Sequence, residues 1–175
     1  TRVGYSEPVV EQWIPTLLEL APSAIALHGR TLKQQYSGTA NWDEIHKAAL
    51  LCKSAGTVIL GNGDIVDYDD ALQKIKTYAV DGVLIGRSSF GNPFIFQKNA
   101  PELLAQHTIF EIAIEHCKLF EATYGDDPRY HFMPMRKHLG WYVRGIEHAR
   151  EVRIEVFQAN NTSEVEAIFK KHNLI

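Results

Sequence analysis

Two short apolar runs, each ending in glycine and a polar residue, constrain the fold of this chain most strongly. The first covers residues 57–65 and the second covers residues 81–87. Both are rich in β-branched residues, too short for a typical helix, and apolar on both faces, as parallel strands covered on both sides must be. We therefore predict two parallel strands with polar residues at their carboxyl ends.

The segment between these strands, residues 67–79, has the periodicity of a helix. Asp67 is a candidate N-cap, because its carboxylate can accept hydrogen bonds from free N–H groups of the first turn. Apolar residues recur behind it at helical spacing. They are Ala71, Leu72, Ile75, Tyr78 and Ala79. The sequence thus predicts a strand, helix, strand unit.

The glycines at the two strand ends suit a phosphate site. In a (β/α) barrel the active site lies at the carboxyl ends of the strands, and the loops after strands seven and eight often hold a phosphate. Gly61, Gly63 and Gly86 would let backbone N–H groups approach phosphate oxygens, and Arg87 would add a planar fork of charged donors. An isolated Gly-x-Gly more often only ends a strand. Two such ends flanking one helix favour the site.

The residues upstream continue the alternation of strands and helices. Residues 1–5 are interpreted as the end of a strand, and residues 24–27 as a short strand that leads to His28-Gly29-Arg30. A helix is predicted over residues 7–20, where Pro15 should cause a kink or a late start because it lacks an N–H donor.

A second upstream helix is predicted behind Asn41. Asn41 with Glu44 has the spacing of a capping box, and Gly56 closes the helix. Its predicted buried stripe is Trp42, Ile45, Ala48, Ala49 and Cys52. Cys52 is therefore interpreted as a core residue and not as a nucleophile.

The number of strands limits the architecture. Alternating strands and helices predict a parallel sheet flanked by helices, yet the sequence holds only three to four strands, which is half of a barrel. A half-barrel leaves open edges and an exposed inner face. We therefore predict that it pairs with another copy or with a missing half of the barrel.

The second part of the chain is predicted to be helical only. Helices are expected behind Thr108 with Glu111 as a capping box, over residues 129–144, over residues 147–157, and over residues 163–170 behind Ser163. The predicted fold is thus α/β followed by all-α, with residues 1–98 forming half of a (β/α) barrel and residues 99–175 a four-helix bundle.

Composition excludes several classes of protein. The formal net charge of −3 over 175 residues gives no general basic field, so any nucleic-acid surface must be local. Two cysteines without metal-ligand spacing indicate neither a disulfide framework nor a metal site, and a cytoplasmic location is the simpler expectation. No apolar run is long enough to span a membrane, and no signal peptide is recognisable. The chain lacks an initial methionine and opens on a strand end, so we expect it to belong to a longer protein.

A set of motifs in a fixed order resembles one enzyme family. The motifs are His28-Gly29-Arg30-Thr31, Tyr36-Ser37-Gly38, Asn41-Trp42, Gly61-Asn62-Gly63-Asp64-Ile65, Gly82-Val83-Leu84-Ile85-Gly86-Arg87, Gly91-Asn92-Pro93 and Met135-Arg136-Lys137-His138-Leu139. In this order they resemble the second half of the barrel and the helical domain of tRNA-dihydrouridine synthases. The resemblance extends over nearly the whole chain.

The resemblance implies a flavin enzyme, in which NADPH reduces FMN and FMN reduces the 5,6 double bond of a uridine in tRNA. It places His28 near the flavin ring. It also implies that the phosphate and ribityl chain of FMN are held at the next two strand ends, by Asn62, Gly63, Asp64, Gly86 and Arg87. Two alternative roles are open for Asp64. Its side chain accepts a hydrogen bond from a ribityl hydroxyl, or it orients its own loop through the backbone.

The same resemblance makes tRNA the expected partner. Arg2 and Arg30 are the expected RNA contacts in the barrel half, although Arg30 has a neighbouring carboxylate as its alternative partner. In the helical part they are Arg136, Lys137 and Arg144. Arg129, Arg136 and Arg144 are spaced by seven and eight residues, so they fall near one helix face, where cations can bind an RNA backbone. The alternative is a solvated charged face, which amphipathic helices commonly have.

One departure from the family pattern bears on activity. The family's general acid is a cysteine in the first half of the barrel, and neither Cys52 nor Cys117 matches its place. The site residues therefore include no catalytic residue, and we expect the chain alone to be inactive or nearly so. Two other functions remain open: a barrel enzyme acting on a small phosphorylated metabolite, and a non-catalytic RNA-binding module.

Overall fold

The computed structural model describes residues 1–98 and 106–175, with side chains from residue 109 onward in the second range. The chain forms two compact units, Thr1–Ser88 and Ser89–Ile175. This division falls before the predicted boundary at residues 98 and 99, which adjoins residues outside the described part. The predicted domain limits therefore stay a prediction.

The first unit is built on a three-stranded parallel sheet. Its strands, β1 (Ala24–His28), β2 (Val58–Asn62) and β3 (Gly82–Leu84), lie side by side in chain order. Arg2 adds an isolated parallel bridge beside His28. The predicted alternation of parallel strands and helices is confirmed. Because the strands are parallel, their carboxyl ends all lie at one edge of the sheet.

Three helices connect and flank these strands. They are α1 (Val10–Leu18), α2 (Trp42–Ala55) and α3 (Tyr68–Tyr78). The first of these helices begins later than predicted, at Val10, but Pro15 lies inside it and does not mark its start, so the late start expected from Pro15 is wrong.

Local sequence fixes the ends of α2 and α3. The Asn41 side chain accepts hydrogen bonds from the N–H groups of Asp43 and Glu44, and the Asp67 side chain accepts from Asp70. Gly56 ends α2 with a left-handed φ of 71°. Both predicted N-caps are confirmed, as is the predicted glycine stop.

The helices cover one face of the sheet. Ile25, Leu27 and Ile59 are buried in a core that includes the predicted stripe of α2. On the opposite face Val58 is 44% exposed and Leu84 is 43% exposed. The prediction that the strands are covered on both faces is therefore wrong for the described residues. The exposed inner face expected of a half-barrel is present.

The buried stripe of α3 is narrower than predicted. Ala71 is buried, and Ile75 and Tyr78 pack against the core. Leu72 and Ala79 are exposed, which corrects the prediction for both. Ala71, Ile75 and Tyr78 are spaced by four and three residues, so they share one face, whereas Leu72 is rotated away from it.

The described residues of the second unit form four helices that share a core. They are α4 (Gln106–Tyr124), α5 (Met133–Tyr142), α6 (Ala149–Val156) and α7 (Thr162–Lys171). The core contains Phe110, Cys117, Met135, Leu139, Val152 and Phe169, among other residues. Within the described residues, no helix has both the length and the apolar character needed to cross a bilayer.

Three predicted helix boundaries in this unit need correction. The helix predicted over residues 129–144 is only α5, because the Asp127 side chain accepts the Arg129 N–H in a turn before it, and a proline stands at its start. Similarly, α6 is shorter than the helix predicted over residues 147–157. The predicted cap Thr108 lies inside α4, and its side chain is outside the described residues.

The start of α7 also differs from the prediction. Asn161, not Ser163, is the N-cap, and its side chain accepts the Glu164 N–H. The next residue, Thr162, is buried and donates its N–H and hydroxyl to the two carboxylate oxygens of Glu121, at 2.9 and 2.7 Å. A contact from α4 therefore completes this helix end.

A pair of histidines should make the second unit sensitive to acid. The rings of His116 and His138 lie 5.0 Å apart. Burial lowers the pKa of both, and the charge of His116 further lowers that of His138. Because the folded pKa values lie below the ordinary 6.5, the unfolded chain binds protons first as pH falls. Stability should be full above that value and decrease below it.

We expect the urea midpoint of this unit to fall between pH 7.5 and pH 5.5, and to fall less in His138→Gln. Far-UV circular dichroism measures both. The exposed His131 provides the control substitution, His131→Gln. An equal pH dependence in His138→Gln and the original chain would contradict this account.

Candidate functional site

Hydrogen bonds join the carboxyl ends of the three strands. His28, Asn62 and Leu84 are register partners across β1, β2 and β3. The Gly29 N–H donates to the Asn62 carbonyl at 2.9 Å, and the Asn62 side-chain amide donates to the Leu84 carbonyl at 2.7 Å. The loops that follow the strands are therefore held close together, as the sequence predicted.

Asp64 links these loops through both carboxylate oxygens. Its Oδ2 accepts from Arg30 Nη2 at 2.7 Å and from the Ala40 N–H at 2.8 Å. Its Oδ1 accepts from Arg87 Nη2 at 2.7 Å. Arg30 and Ala40 follow β1, Asp64 follows β2 and Arg87 follows β3. One carboxylate thus connects the loops of all three strands. A hydrogen bond from a ribityl hydroxyl to Asp64 stays a prediction.

The charge of Asp64 is stabilised by these donors. Burial alone would raise its pKa, but the Ala40 N–H and the guanidinium groups of Arg30 and Arg87 outweigh it, so the pKa lies below its ordinary value. Asp64 also has a φ of 53°, in the left-handed region that acidic turn residues tolerate better than most. The carboxylate is therefore ionised at neutral pH.

Arg30 is almost fully buried, with 2% of its side chain exposed. Besides Asp64, its guanidinium donates to the carbonyls of Ser37 and Gly38, at 3.3 and 2.8 Å. Its Nη1 is buried and has no hydrogen-bond acceptor among the described residues. Of the two partners predicted for Arg30, the structure contains the neighbouring carboxylate.

His28 lies among positive charges. Burial lowers its pKa first, and the charges of Arg2, Arg30 and Arg87 lower it further, while Asp64 opposes them. Three guanidinium groups against one carboxylate leave an excess of positive charge at this edge of the sheet. His28 is therefore an uncharged imidazole at neutral pH in surroundings that favour an anion.

Arg87 is the most accessible cation of the group, with 53% of its side chain exposed. Its guanidinium lies 5.1 Å from the centre of the Tyr36 ring, a cation–π distance. Arg2 instead donates to the Thr31 carbonyl at 3.0 Å. Sequence reasoning missed the role of Tyr36, although the Tyr36-Ser37-Gly38 motif marks this loop.

The three glycines of the strand ends have different structural roles. A Cβ on Gly61 would lie 2.7 Å from the Trp42 ring, and one on Gly63 would lie 2.5 Å from the Cβ of Ala40. At Gly86 a Cβ would meet no described atom within 4 Å. Gly61 and Gly63 therefore permit close internal packing, which sequence reasoning did not foresee. Gly86 faces open space, as the backbone beside a ligand must.

The predicted RNA contacts of the second unit are not on one helix face. Arg144 lies beyond the end of α5. Arg136 donates to the Ala159 carbonyl at 2.8 Å and to Asn160 Oδ1 at 2.7 Å, which holds the loop between α6 and α7. Lys137 and Arg144 are exposed. The prediction of a shared face is wrong, and RNA binding by these residues stays a prediction.

Both cysteines are buried in the cores of their units. Burial raises the pKa of Cys52, and it raises the pKa of Cys117 to about 12. Neither thiol is accessible to a substrate. The expectation that Cys52 is a core residue is confirmed, and Cys117 is also a core residue.

Comparison with known proteins identifies relatives over most of the chain. A family model described as dihydrouridine synthase (Dus) matches residues 14–174. A probable tRNA-dihydrouridine synthase of Mycobacterium leprae is 35% identical over 160 residues, which cover 85% of this chain and 40% of the relative. One from Staphylococcus aureus strain Mu50 is 31% identical over 171 residues, which cover 96% of this chain and 52% of the relative. The chain spans about half the length of these relatives, or less.

Proposed function

Because the chain belongs to the dihydrouridine synthase (Dus) family, we propose that it provides part of an enzyme that reduces uridine to 5,6-dihydrouridine in tRNA. In this proposal the strand ends hold the phosphate end of FMN, and the helical unit binds tRNA. One observation carries the proposal: Asp64 joins three strand ends in a cluster with Arg30 and Arg87 beside His28.

The donors at the strand ends fit a phosphate dianion. Arg87 gives only its Nη2 to Asp64, so its remaining N–H groups can donate to phosphate oxygens. Gly86 provides open space beside them. Asn62 uses its side-chain amide on Leu84, which leaves its side-chain oxygen to accept from a ribityl hydroxyl.

Asp64 has a positioning role in this site. Arg30 and the Ala40 N–H occupy Oδ2, and Arg87 occupies Oδ1, so the carboxylate fixes the cations that face the phosphate. The lowered pKa of Asp64 keeps that function present through neutral and mildly acidic pH. The family is FMN-dependent in general, and bound FMN, once reduced by NADPH, would supply the hydride for the uridine.

His28 contributes a neutral hydrogen-bonding group near the flavin. Its ring packs against the Gly63 backbone, where a Cβ would lie 3.3 Å from His28 Cδ2. The lowered pKa of His28 means that one ring nitrogen donates and the other accepts at neutral pH. The imidazole therefore orients a bound group without adding a further charge.

The exposed face of the sheet fits the second half of a (β/α) barrel. Val58 and Leu84 lie on the face that, in a closed barrel, points to the packed interior. We infer that the remaining barrel strands cover it in the working enzyme. Sedimentation of the 175-residue chain tests this: a monomer is expected at low concentration, and a stable dimer would point to a second copy as the covering partner.

The 175 residues alone should form little or no dihydrouridine. Cys52 and Cys117 are both buried, so neither can donate a proton to the uracil ring, and the loss of a general acid costs about a hundredfold in rate or more. Mass spectrometry of tRNA incubated with the chain, FMN and NADPH measures the product. Appreciable product would contradict the proposed division of the site.

A chimera tests the proposed function itself. In it, this chain replaces the matching segment of the Mycobacterium leprae relative, and the product is expressed in bacteria that lack their own dihydrouridine synthases. We expect dihydrouridine in the tRNA of these cells, and at least tenfold less when the chimera carries Arg87→Gln. The exposed Lys53→Gln is the matched control. A folded chimera that binds FMN and tRNA but forms no dihydrouridine would reject the proposal.

A further inference from the structure

The second unit contains a pocket of about 850 Å³ that the proposed cofactor site does not use. Its walls come from four segments of this unit. They are the residues around Phe90, Ile109 and Phe110 of α4, the end of α5 with the turn that follows it, and the carboxyl-terminal residues around Asn173. A volume of this size is within the range that holds small ligands in proteins.

One wall of the pocket is a stacked aromatic pair. The rings of Phe90 and Trp141 are nearly parallel, with an interplanar angle of 6° and centroids 4.0 Å apart. Phe90 is 39% exposed, so aromatic surface remains accessible. Gly91 makes the arrangement possible, because it has a φ of 74° and a Cβ there would lie 2.5 Å from the Trp141 carbonyl oxygen. Because the stacked rings cover each other's facing sides, the flat apolar surface that remains accessible is the outer side of Phe90.

The turn after α5 adds a cation to the pocket. The Arg144 guanidinium is exposed and makes no hydrogen bond or ion pair with the residues that the structure describes. His148, also in the pocket wall, already has a carboxylate beside it, because its Nε2 lies 3.6 Å from Glu147 Oε1. The Glu147 side chain is 90% exposed to solvent. His172 is already bound to Glu155 at 3.0 Å. Arg144 is therefore the cation that is available to a ligand.

A flat aromatic surface beside an available guanidinium suits a nucleotide. Unpaired RNA bases bind by stacking on aromatic side chains, and their phosphates bind arginine. Bases of a duplex are stacked within the helix and cannot use such a surface. We propose that this pocket binds one unpaired nucleotide of RNA, with its base stacked on Phe90, whose other side is covered by Trp141, and its phosphate on Arg144. This inference rests on the proposed function, because tRNA is the RNA on which the proposed enzyme acts.

The indole N–H signals of the ¹⁵N-labelled 175-residue chain locate binding. Trp13, Trp42 and Trp141 give one signal each, and single tryptophan substitutions assign them. On titration with the single-stranded probe hexauridylate, we expect the Trp141 signal to shift more than the other two. A fully paired RNA hairpin of equal charge should leave it unchanged. A shift confined to Trp13 or Trp42 would overturn the proposal.

Variants separate stacking from charge. Phe90→Leu should weaken hexauridylate binding by about fivefold or more, and Phe90→Tyr should restore it, because a ring is again present for stacking. Arg144→Gln should weaken binding and reduce the slope of log affinity against log salt by about 0.7, the value for one phosphate contact in single strands. Lys170→Gln, which removes an exposed cation outside the pocket, is the control. Equal effects of Lys170→Gln and Arg144→Gln would reject the site.

These results separate this inference from the proposed enzyme function. If the chain binds unmodified tRNA and none of the pocket variants changes that affinity, the pocket proposal fails and tRNA binding stands. If hexauridylate binds at Trp141 but the folded chimera forms no dihydrouridine, the pocket stands and the enzyme function fails. Circular dichroism of each variant establishes that it is folded.

Discussion

Asp64→Ala is expected to destabilise the first unit by about 3 kcal/mol and to weaken FMN binding at least tenfold. Arg30 is 2% exposed and loses its carboxylate partner, and removing one member of a buried ion pair costs about 3–5 kcal/mol. Because Asp64 itself is 29% exposed, the lower end of that range applies. Alanine is also strained at the φ of 53° that aspartate adopts here.

Two further variants isolate the cause. Asp64→Asn tolerates the same φ but lacks the charge, so it should recover part of the stability while FMN binding stays weak. Asp69→Ala removes an exposed carboxylate of α3 and should change stability by no more than about 0.5 kcal/mol. Urea unfolding and FMN titration measure the two effects. If Asp64→Ala behaves like Asp69→Ala, Asp64 does not organise the strand ends.

Gly63→Ala is expected to destabilise the same unit by about 3 kcal/mol, whereas Gly86→Ala should leave stability unchanged and weaken FMN binding. A Cβ on Gly63 would lie 2.5 Å from the Cβ of Ala40, at a φ of 135°. That backbone conformation alone costs about 1–3 kcal/mol for other residues, and the overlap adds to it. At Gly86 a Cβ meets no described atom within 4 Å, so it would occupy only the space proposed for phosphate.

Gly56→Ala separates backbone strain from steric overlap. Gly56 has a left-handed φ of 71°, and no described atom lies within 4 Å of a Cβ placed there. Its substitution should cost about 1–2 kcal/mol, the backbone term alone. Urea unfolding of the three glycine variants gives the comparison. Equal losses for Gly63→Ala and Gly56→Ala would show that packing against Ala40 does not matter.

Local sequence was sufficient to predict both ends of α2 and the start of α3 in the first unit. Asn41 and Asp67 satisfy the free N–H groups at the starts of their helices, and Gly56 adopts the left-handed conformation that ends one. Each of these features depends on residues within a few positions of each other. Parallel pairing of the strands places His28 and Arg87 at the same edge of the sheet. Their common position was predicted for that reason.

The contacts of Asp64 could not be predicted in the same way. Its partners Arg30 and Ala40 are 34 and 24 residues away. Sequence periodicity contains no information on such pairs. The glycines show the same limit, because the reason for Gly61 is the ring of Trp42, which belongs to the preceding helix.

The second unit shows how charge spacing misleads. Arg136 and Arg144 are eight residues apart and would share a face if one helix contained both. The helix ends at Tyr142, and Arg136 donates to backbone carbonyls near Ala159. The helix ends two residues before Arg144, and this difference decides whether the two cations share a helix face. Helix boundaries are the feature that sequence patterns define least well.

The relative affinity of the 175-residue chain for FMN and riboflavin tests the central claim most directly. The two ligands differ only in the phosphate that Arg87 and the Gly86 backbone would hold. We expect FMN to bind at least about tenfold more tightly, a difference that charge-assisted hydrogen bonds to one phosphate readily supply. Arg87→Gln should abolish most of this preference. Equal affinities, or no measurable binding of either flavin, would contradict a phosphate site at these strand ends.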